Sequence, residues 1–146
     1  MSEQAKILRD RVRSLIVTHA SLDDTRRPCG TPLSMPHAWT LLELKNGPLT
    51  VNHLAERLNI DRTNVSRLCI KMEDLGEIRR IPNPEDGRSK VLELTEKGSR
   101  LANQVDRSSA EHFSRVLEAL PNPNTVLHAL DQLIAAFQAE ASEENP

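Results

Sequence analysis

Apolar residues recur at helical spacing in six stretches of this chain, and between the fourth and fifth the period changes to that of a strand. From residue 3 to 20, Leu8, Val12, Leu15, Ile16 and His19 return every third or fourth position and predict an amphipathic helix. Arg9, Arg11 and Arg13 lie on its other side. Asp23, Asp24, Pro28, Gly30, Pro32 and Pro36 then break the pattern and mark a loop. Pro36 suits the first turn of a helix over 36–45, where Trp39, Leu41, Leu42 and Leu44 supply apolar mass before Asn46-Gly47-Pro48 stops it. Thr50 caps a third helix, 51–58, with Val51, Leu54, Ala55 and Leu58 on one face.

Asn59-Ile60-Asp61 reads as a tight turn, and Asp61 as the N-cap of a fourth helix running to about Leu75. Val65, Leu68, Cys69, Met72 and Leu75 hold the 3.6-residue period and predict its buried face. Arg62, Thr63, Asn64, Arg67 and Lys71 are left facing outward with Ser66 beside them, and Gly76 ends the helix. Ile78 to Pro82 and Lys90 to Leu94 are short strand-like segments. The loop between them carries an Asp86-Gly87 turn signal, so the pair reads as a hairpin. Helical spacing resumes from Thr95 to about Leu120 through Leu101, Val105, His112, Phe113, Val116, Leu117 and Leu120. After Pro121-Asn122-Pro123-Asn124, a last helix over 124–141 carries Val126, Leu127, Leu130, Leu133, Ile134 and Phe137, and the tail beyond Ala141 is expected to fray. The fold class expected is mainly α with a small β ribbon (α+β). The central unit is too small to cover the apolar stripes of the first, fifth and sixth helices, which predicts a two-fold dimer.

Composition narrows this picture. A chain of 146 residues makes one compact domain or a domain with helical arms. Trp39, Phe113 and Phe137 are its only aromatic side chains apart from histidine, so the core must be built from Leu, Ile and Val. No apolar run approaches the roughly 20 residues that cross a bilayer, and the mixed-charge N-terminus is no signal peptide, so the expected location is the cytoplasm. Cys29 and Cys69 are too few for a disulfide framework and lack metal-ligand spacing. The net charge of −2 argues mildly against nucleic acid. By segment the balance differs: residues 57–90 hold eight Lys/Arg against six Asp/Glu, and residues 101–146 hold two against seven. The basic surplus sits in the helix-turn-helix and hairpin region, and its placement matters more for binding than the total.

The outward side chains of the fourth helix suit a DNA major groove. Arg bonds a guanine edge bidentately, Asn an adenine edge, and Thr adds a methyl contact. Amide groups at that helix end also favour phosphate. The bland alternative is an ordinary solvated helix face. Arg79, Arg80, Arg88 and Lys90 flank the protruding hairpin turn, with Ser89 between the last two. A narrow minor groove attracts an inserted Arg, and Arg88, just past the tip, is the candidate. Asp86 is expected to hold a neighbouring Arg or to cap the turn.

These residues carry a resemblance. Leu54-Ala55-Glu56-Arg57-Leu58, Thr63-Asn64-Val65-Ser66-Arg67, Met72-Glu73-Asp74-Leu75-Gly76, Arg80, Asp86-Gly87-Arg88 and Leu94-Thr95-Glu96-Lys97-Gly98 occur in the order and spacing of MarR-family transcriptional regulators, which the chain resembles over nearly its whole length. The resemblance implies a winged helix-turn-helix unit over 36–98, dimerisation helices over 1–30 and 112–146, and a long linking helix over 95–120. It implies a homodimer on a pseudo-palindromic double-stranded DNA operator, usually as a repressor. The major groove would then meet Arg62, Thr63, Asn64, Ser66, Arg67 and Lys71, and the wing would offer Asp86, Arg88, Ser89 and Lys90. One departure is Glu77, where the family usually has an apolar residue.

Such regulators often release DNA when a small aromatic or phenolic acid, a metal or an oxidant acts. Arg13, His19, Arg26, His37 and Trp39 are the candidate lining of an effector pocket, against the alternative of a packed junction. Cys29, beside Arg26 and Arg27, is the candidate for oxidant sensing, because nearby cations make a thiol reactive. Cys69 falls on the buried stripe and reads as core. The five histidines form no two-His metal motif, and His53 with Glu56 reads as a surface pair. No P-loop, dinucleotide fingerprint or nucleophile elbow occurs, so neither an enzyme nor a cofactor is expected. A winged-helix dimer or adaptor without operator specificity is the other reading.

Overall fold

The computed structural model describes residues 2–20 and 32–144. Arg26 and Cys29 lie outside the described residues. The element order is α1 (Glu3–Ala20), α2 (Met35–Lys45), α3 (Val51–Leu58), α4 (Arg62–Asp74), β1 (Ile78–Pro82), β2 (Lys90–Leu94), α5 (Glu96–Glu118) and α6 (Pro123–Glu144). The chain divides into two compact units, Met1–His112 and Phe113–Pro146. Among the described residues no helix is long and apolar enough to cross a membrane.

Local chemistry explains the boundaries in the first unit. Ser34, Thr50 and Asp61 stand at helix N-caps and accept from the amides of His37, His53 and Asn64, each satisfying a donor the helix leaves unpaired. Asn59 ends α3 in the left-handed region (φ 51°, ψ 44°), a conformation that a short polar side chain tolerates. α4 ends in a Schellman motif: the Glu77 amide donates to Met72 O and the Gly76 amide to Glu73 O, with Gly76 at φ 74°. The helix therefore stops at Asp74. Leu75, expected in the buried stripe, is instead 42% exposed, because the capping turn has already left the helical path.

Ala38, Leu41 and Leu44 of α2, Leu54 and Ala55 of α3, Val65, Cys69 and Met72 of α4, Ile78, Leu92, Ala102 and Val105 form one core. Trp39 is not part of it. It is 43% exposed, while Thr40 beside it is fully buried and donates to Pro36 O at 2.8 Å. The strands pair antiparallel, with Ile78 opposite Leu94 and Pro82 opposite Lys90. Leu49 adds an isolated antiparallel bridge to β2, exchanging both backbone hydrogen bonds with Leu92. This bridge ties the segment before α3 to the hairpin.

Thr95 caps the start of α5: its hydroxyl accepts from the Gly98 amide and donates to Gly76 O. It ends at Glu118, so Leu120 lies beyond it. In the second unit α6 begins at Pro123 and stays helical to Glu144, past the expected fraying point. No residue of α6 is buried, and Leu127, Ile134 and Phe137 are about half exposed. On α1, Leu8, Leu15 and Ile16 are also about half exposed, whereas Val12 and His19 are partly covered.

Candidate nucleic-acid interface

α3, the Asn59–Asp61 turn and α4 form two short helices packed on each other, with α4 carrying the outward face. Its inward side is fixed by Val65, Cys69 and Met72, all 0% exposed. The helical period therefore turns Arg62, Thr63, Asn64, Arg67 and Lys71 to solvent, and Ser66 lies at the edge, partly covered. One N-terminal amide of α4, that of Asn64, is not open to a phosphate. The Asp61 carboxylate already accepts from the Asn64 amide at 3.2 Å, and its charge would repel an anion there.

Arginines that look alike in the sequence separate into two sets. Arg79 donates to Glu93 at 2.6 Å across the hairpin, Arg80 to Glu73 at 2.7 Å, and Arg57 to Glu43 at 3.3 Å. These guanidiniums are neutralised locally and brace α2, α3, α4 and the strands. Arg62, Arg67, Lys71, Arg88 and Lys90 are exposed and make no ion pair among the described residues. Their charge is free to meet an anionic partner.

The hairpin tip is held by side chains rather than by a left-handed glycine. Gly87 is not at positive φ. Instead Asp86 Oδ1 accepts from the Arg88 amide at 3.1 Å, and Asp86 O accepts from the Ser89 amide at 3.1 Å and its hydroxyl at 3.2 Å. Asn83 Nδ2 donates to Ser89 Oγ at 3.0 Å. Of the two roles expected for Asp86, it caps the turn, and among the described residues it holds no guanidinium. Asp86 and Ser89 thus shape the loop from within, while Arg88 and Lys90 project from it.

The described candidate effector residues differ in their surroundings. His37 is 3% exposed, and its Nε2 lies 2.6 Å from Glu77 Oε2, itself buried. This corrects the expectation of His37 on a pocket wall: its ring is turned to the interior and occupied. Glu77, the departure from the family pattern, has its side chain turned inward by the Schellman turn at Gly76, and His37 is its partner. Trp39 is exposed. Arg13 borders an open depression of about 340 Å³ on α1 with Asp10, Ser14, Val17 and Thr18. Sequence reasoning had no way to find the His37–Glu77 contact, because the two residues are 40 positions apart.

Cys69 is fully buried, and desolvation raises its thiol from the ordinary value to about 11, a nearby Arg80 opposing and Glu73 reinforcing the shift. The thiolate is the reactive form. In a Cys29→Ser variant the remaining thiol is therefore expected to resist a disulfide reagent at pH 8 and to react fully once denaturant is added. Prompt reaction of the folded protein would contradict its place in the core. Among the described residues no three or more His, Cys, Asp or Glu side chains are grouped to hold a metal.

Residues 31–89 match the sequence model of the MarR family. The chain is 30% identical over 106 residues to the HTH-type transcriptional regulator YfiV of Bacillus subtilis, spanning 72% of this chain and 66% of that protein. It is 29% identical over 130 residues to the HTH-type transcriptional regulator MT0903.1 of Mycobacterium tuberculosis, spanning 88% of this chain and 91% of that one. The fold is similar to that of NMB1585, a MarR family regulator from Neisseria meningitidis, with a TM-score of 0.71 and 22% identity over 99% of this chain and 100% of the other.

Proposed function

This chain belongs to the MarR family of winged helix-turn-helix transcriptional regulators, which are not enzymes, and on that premise we propose that it is a homodimeric repressor of a pseudo-palindromic operator. The observation that carries this reading is the division of its cations. Arg62, Arg67 and Lys71 on α4 and Arg88 and Lys90 on the hairpin make no ion pair among the described residues, while neighbouring arginines are paired with carboxylates. Arg67, Asn64 and Thr63 would read base edges in the major groove, with Ser66 at the margin, and Arg88 would enter the minor groove. The exposed apolar side chains of α1, of the end of α5 and of α6 support a second copy as the missing cover: surface of this kind marks association. Two-fold symmetry then sets two recognition helices about one DNA turn apart.

An effector that releases the operator completes the proposal. A small aromatic or phenolic acid would find a cation in Arg13 and an exposed ring in Trp39, with His19 on the same unit. His37 would act only indirectly, through Glu77.

Selection of bound sequences from random duplex DNA tests the reading. A near-palindrome is expected, and its yield should fall when phenolic acids are present. Arg67→Ala should relax preference at one position per half-site and lose about 1–3 kcal/mol. Arg88→Ala should weaken binding and lower the salt slope by about 1 per half-site. Recovery of unrelated sequences with uniform protection would favour the adaptor reading instead.

A further inference from the structure

α4 carries one side chain that neither its core face nor its polar face explains. Ile70 is 54% exposed in the middle of the helix. A solvated mid-helix position suits Ala, Glu, Gln or Lys. A β-branched residue there gives up side-chain freedom and leaves apolar surface in water. Local rules of this kind are broken at functional positions.

Ile70 is not a fringe of the core. Val65, Cys69 and Met72 point inward, and the helical period puts Ile70 on the opposite side. It stands in line with Thr63, Arg67 and Asp74 at steps of four, three and four, and all three are exposed. Ile70 therefore follows Arg67 along the same outward line, about 4.5 Å further down the helix axis. That rise is close to one base-pair step, about 3.4 Å. A helix that places Arg67 at a base edge places Ile70 at a neighbouring one.

We propose that Ile70 is a specificity-determining residue that packs on the C5-methyl group of a thymine, one or two base pairs from the position read by Arg67. The inference rests on the operator-binding reading above. Among the groups that base pairs present in the major groove, the thymine methyl is the apolar one. Ile70 has no donor or acceptor to offer a guanine, adenine or cytosine edge. Against those bases it would displace water without replacing the lost hydrogen bond, which penalises the wrong sequence as well as favouring the right one. Its restricted χ1 keeps the side chain in place at little further entropic cost. Asp74, one turn on, carries a charge that phosphates repel, so base contact along this line ends at Ile70.

The test uses the selected operator with deoxyuridine in place of thymine at that position, which removes the methyl and nothing else. The wild-type protein should lose roughly fourfold in affinity per methyl. Ile70→Ala should lose about as much on the thymine duplex and show no further loss on deoxyuridine. Ile70→Val, which keeps a branched methyl, should fall between. Repeating the selection with Ile70→Ala should erase the thymine preference while leaving the Arg67-dependent position intact. An equal deoxyuridine penalty for wild type and Ile70→Ala overturns the assignment, as does an operator with no thymine near that position. Either result leaves operator binding standing. Failure to select any operator removes both readings, and unchanged thermal unfolding of Ile70→Ala separates lost recognition from lost folding.

Discussion

His37→Ala should lower the unfolding free energy by about 3–5 kcal/mol, the cost of stranding a buried charge whose partner is gone. The side chains of His37 and Glu77 are 4% and 6% exposed and lie 2.6 Å apart. Each side chain is the other's buried hydrogen-bond partner. Without the imidazole, the buried Glu77 carboxyl is left without this hydrogen-bond partner or must force the turn open to reach water. The effect extends beyond the pair, because it links α2 to the junction of α4 and β1. Glu77 also donates its amide to Met72 O and accepts the Thr95 amide on its carbonyl. Glu77→Gln keeps a hydrogen bond to the ring and should cost less. Replacing both residues, His37→Leu with Glu77→Met, removes the charges together and should fall within about 1.5 kcal/mol of wild type. Urea unfolding at pH 7 and fixed protein concentration measures the series, since any dimer makes stability depend on concentration. A double variant as unstable as His37→Ala would mean that packing volume, not charge pairing, governs the site.

Gly98→Ala should destabilise by about 2–4 kcal/mol, against the direction that helix propensity alone dictates. Within a helix, Gly to Ala ordinarily stabilises by about 1 kcal/mol. Gly98 is in the first turn of α5, and a Cβ built there would meet Glu77 O at a hard-sphere clash and Glu77 C at 2.9 Å. The obstacle is backbone, so no rotamer change relieves it. The start of α5 would have to move away from the turn that receives Thr95 and carries Glu77. The base of the hairpin would move with it, and DNA affinity should fall alongside stability. Ser99→Ala, one residue on and exposed, is the control and should be near neutral. A Gly98→Ala protein as stable as wild type would show that α5 can be displaced from this turn without loss.

Much of the fold was legible from the chain because its boundaries are set within a few residues. Thr50 and Asp61 stop unpaired amides by their own side chains, and Gly76 supplies the left-handed turn after α4. Both strands run over the segments read as strand-like around the Asp86-Gly87 turn signal. The outward set on α4 was legible for the same reason, since three buried positions at helical spacing leave the others outside. Errors arose where the partner is remote. Trp39 adds apolar mass to α2, but the positions facing the core are Ala38, Leu41 and Leu44. Leu75 keeps the period of α4 but falls in the turn that caps it. The Leu49–Leu92 bridge has no local signal, because a single rung needs no strand pattern.

The sequence by itself determined the helices, the hairpin, the family and the surplus of cations around α4 and the hairpin. Those depend on periodicity, capping and composition, which act over one or two turns of chain. Tertiary structure decided which of those cations remain charged toward solvent. Glu93 lies across the hairpin from Arg79 and Glu73 reaches Arg80 from another element, whereas among the described residues no carboxylate pairs with Arg67 or Arg88. It also decided that Glu77, an acidic residue on a strand approach, is core, because His37 meets it across 40 residues. Pairing of charges is a property of distance in space, and spacing along the chain does not contain it.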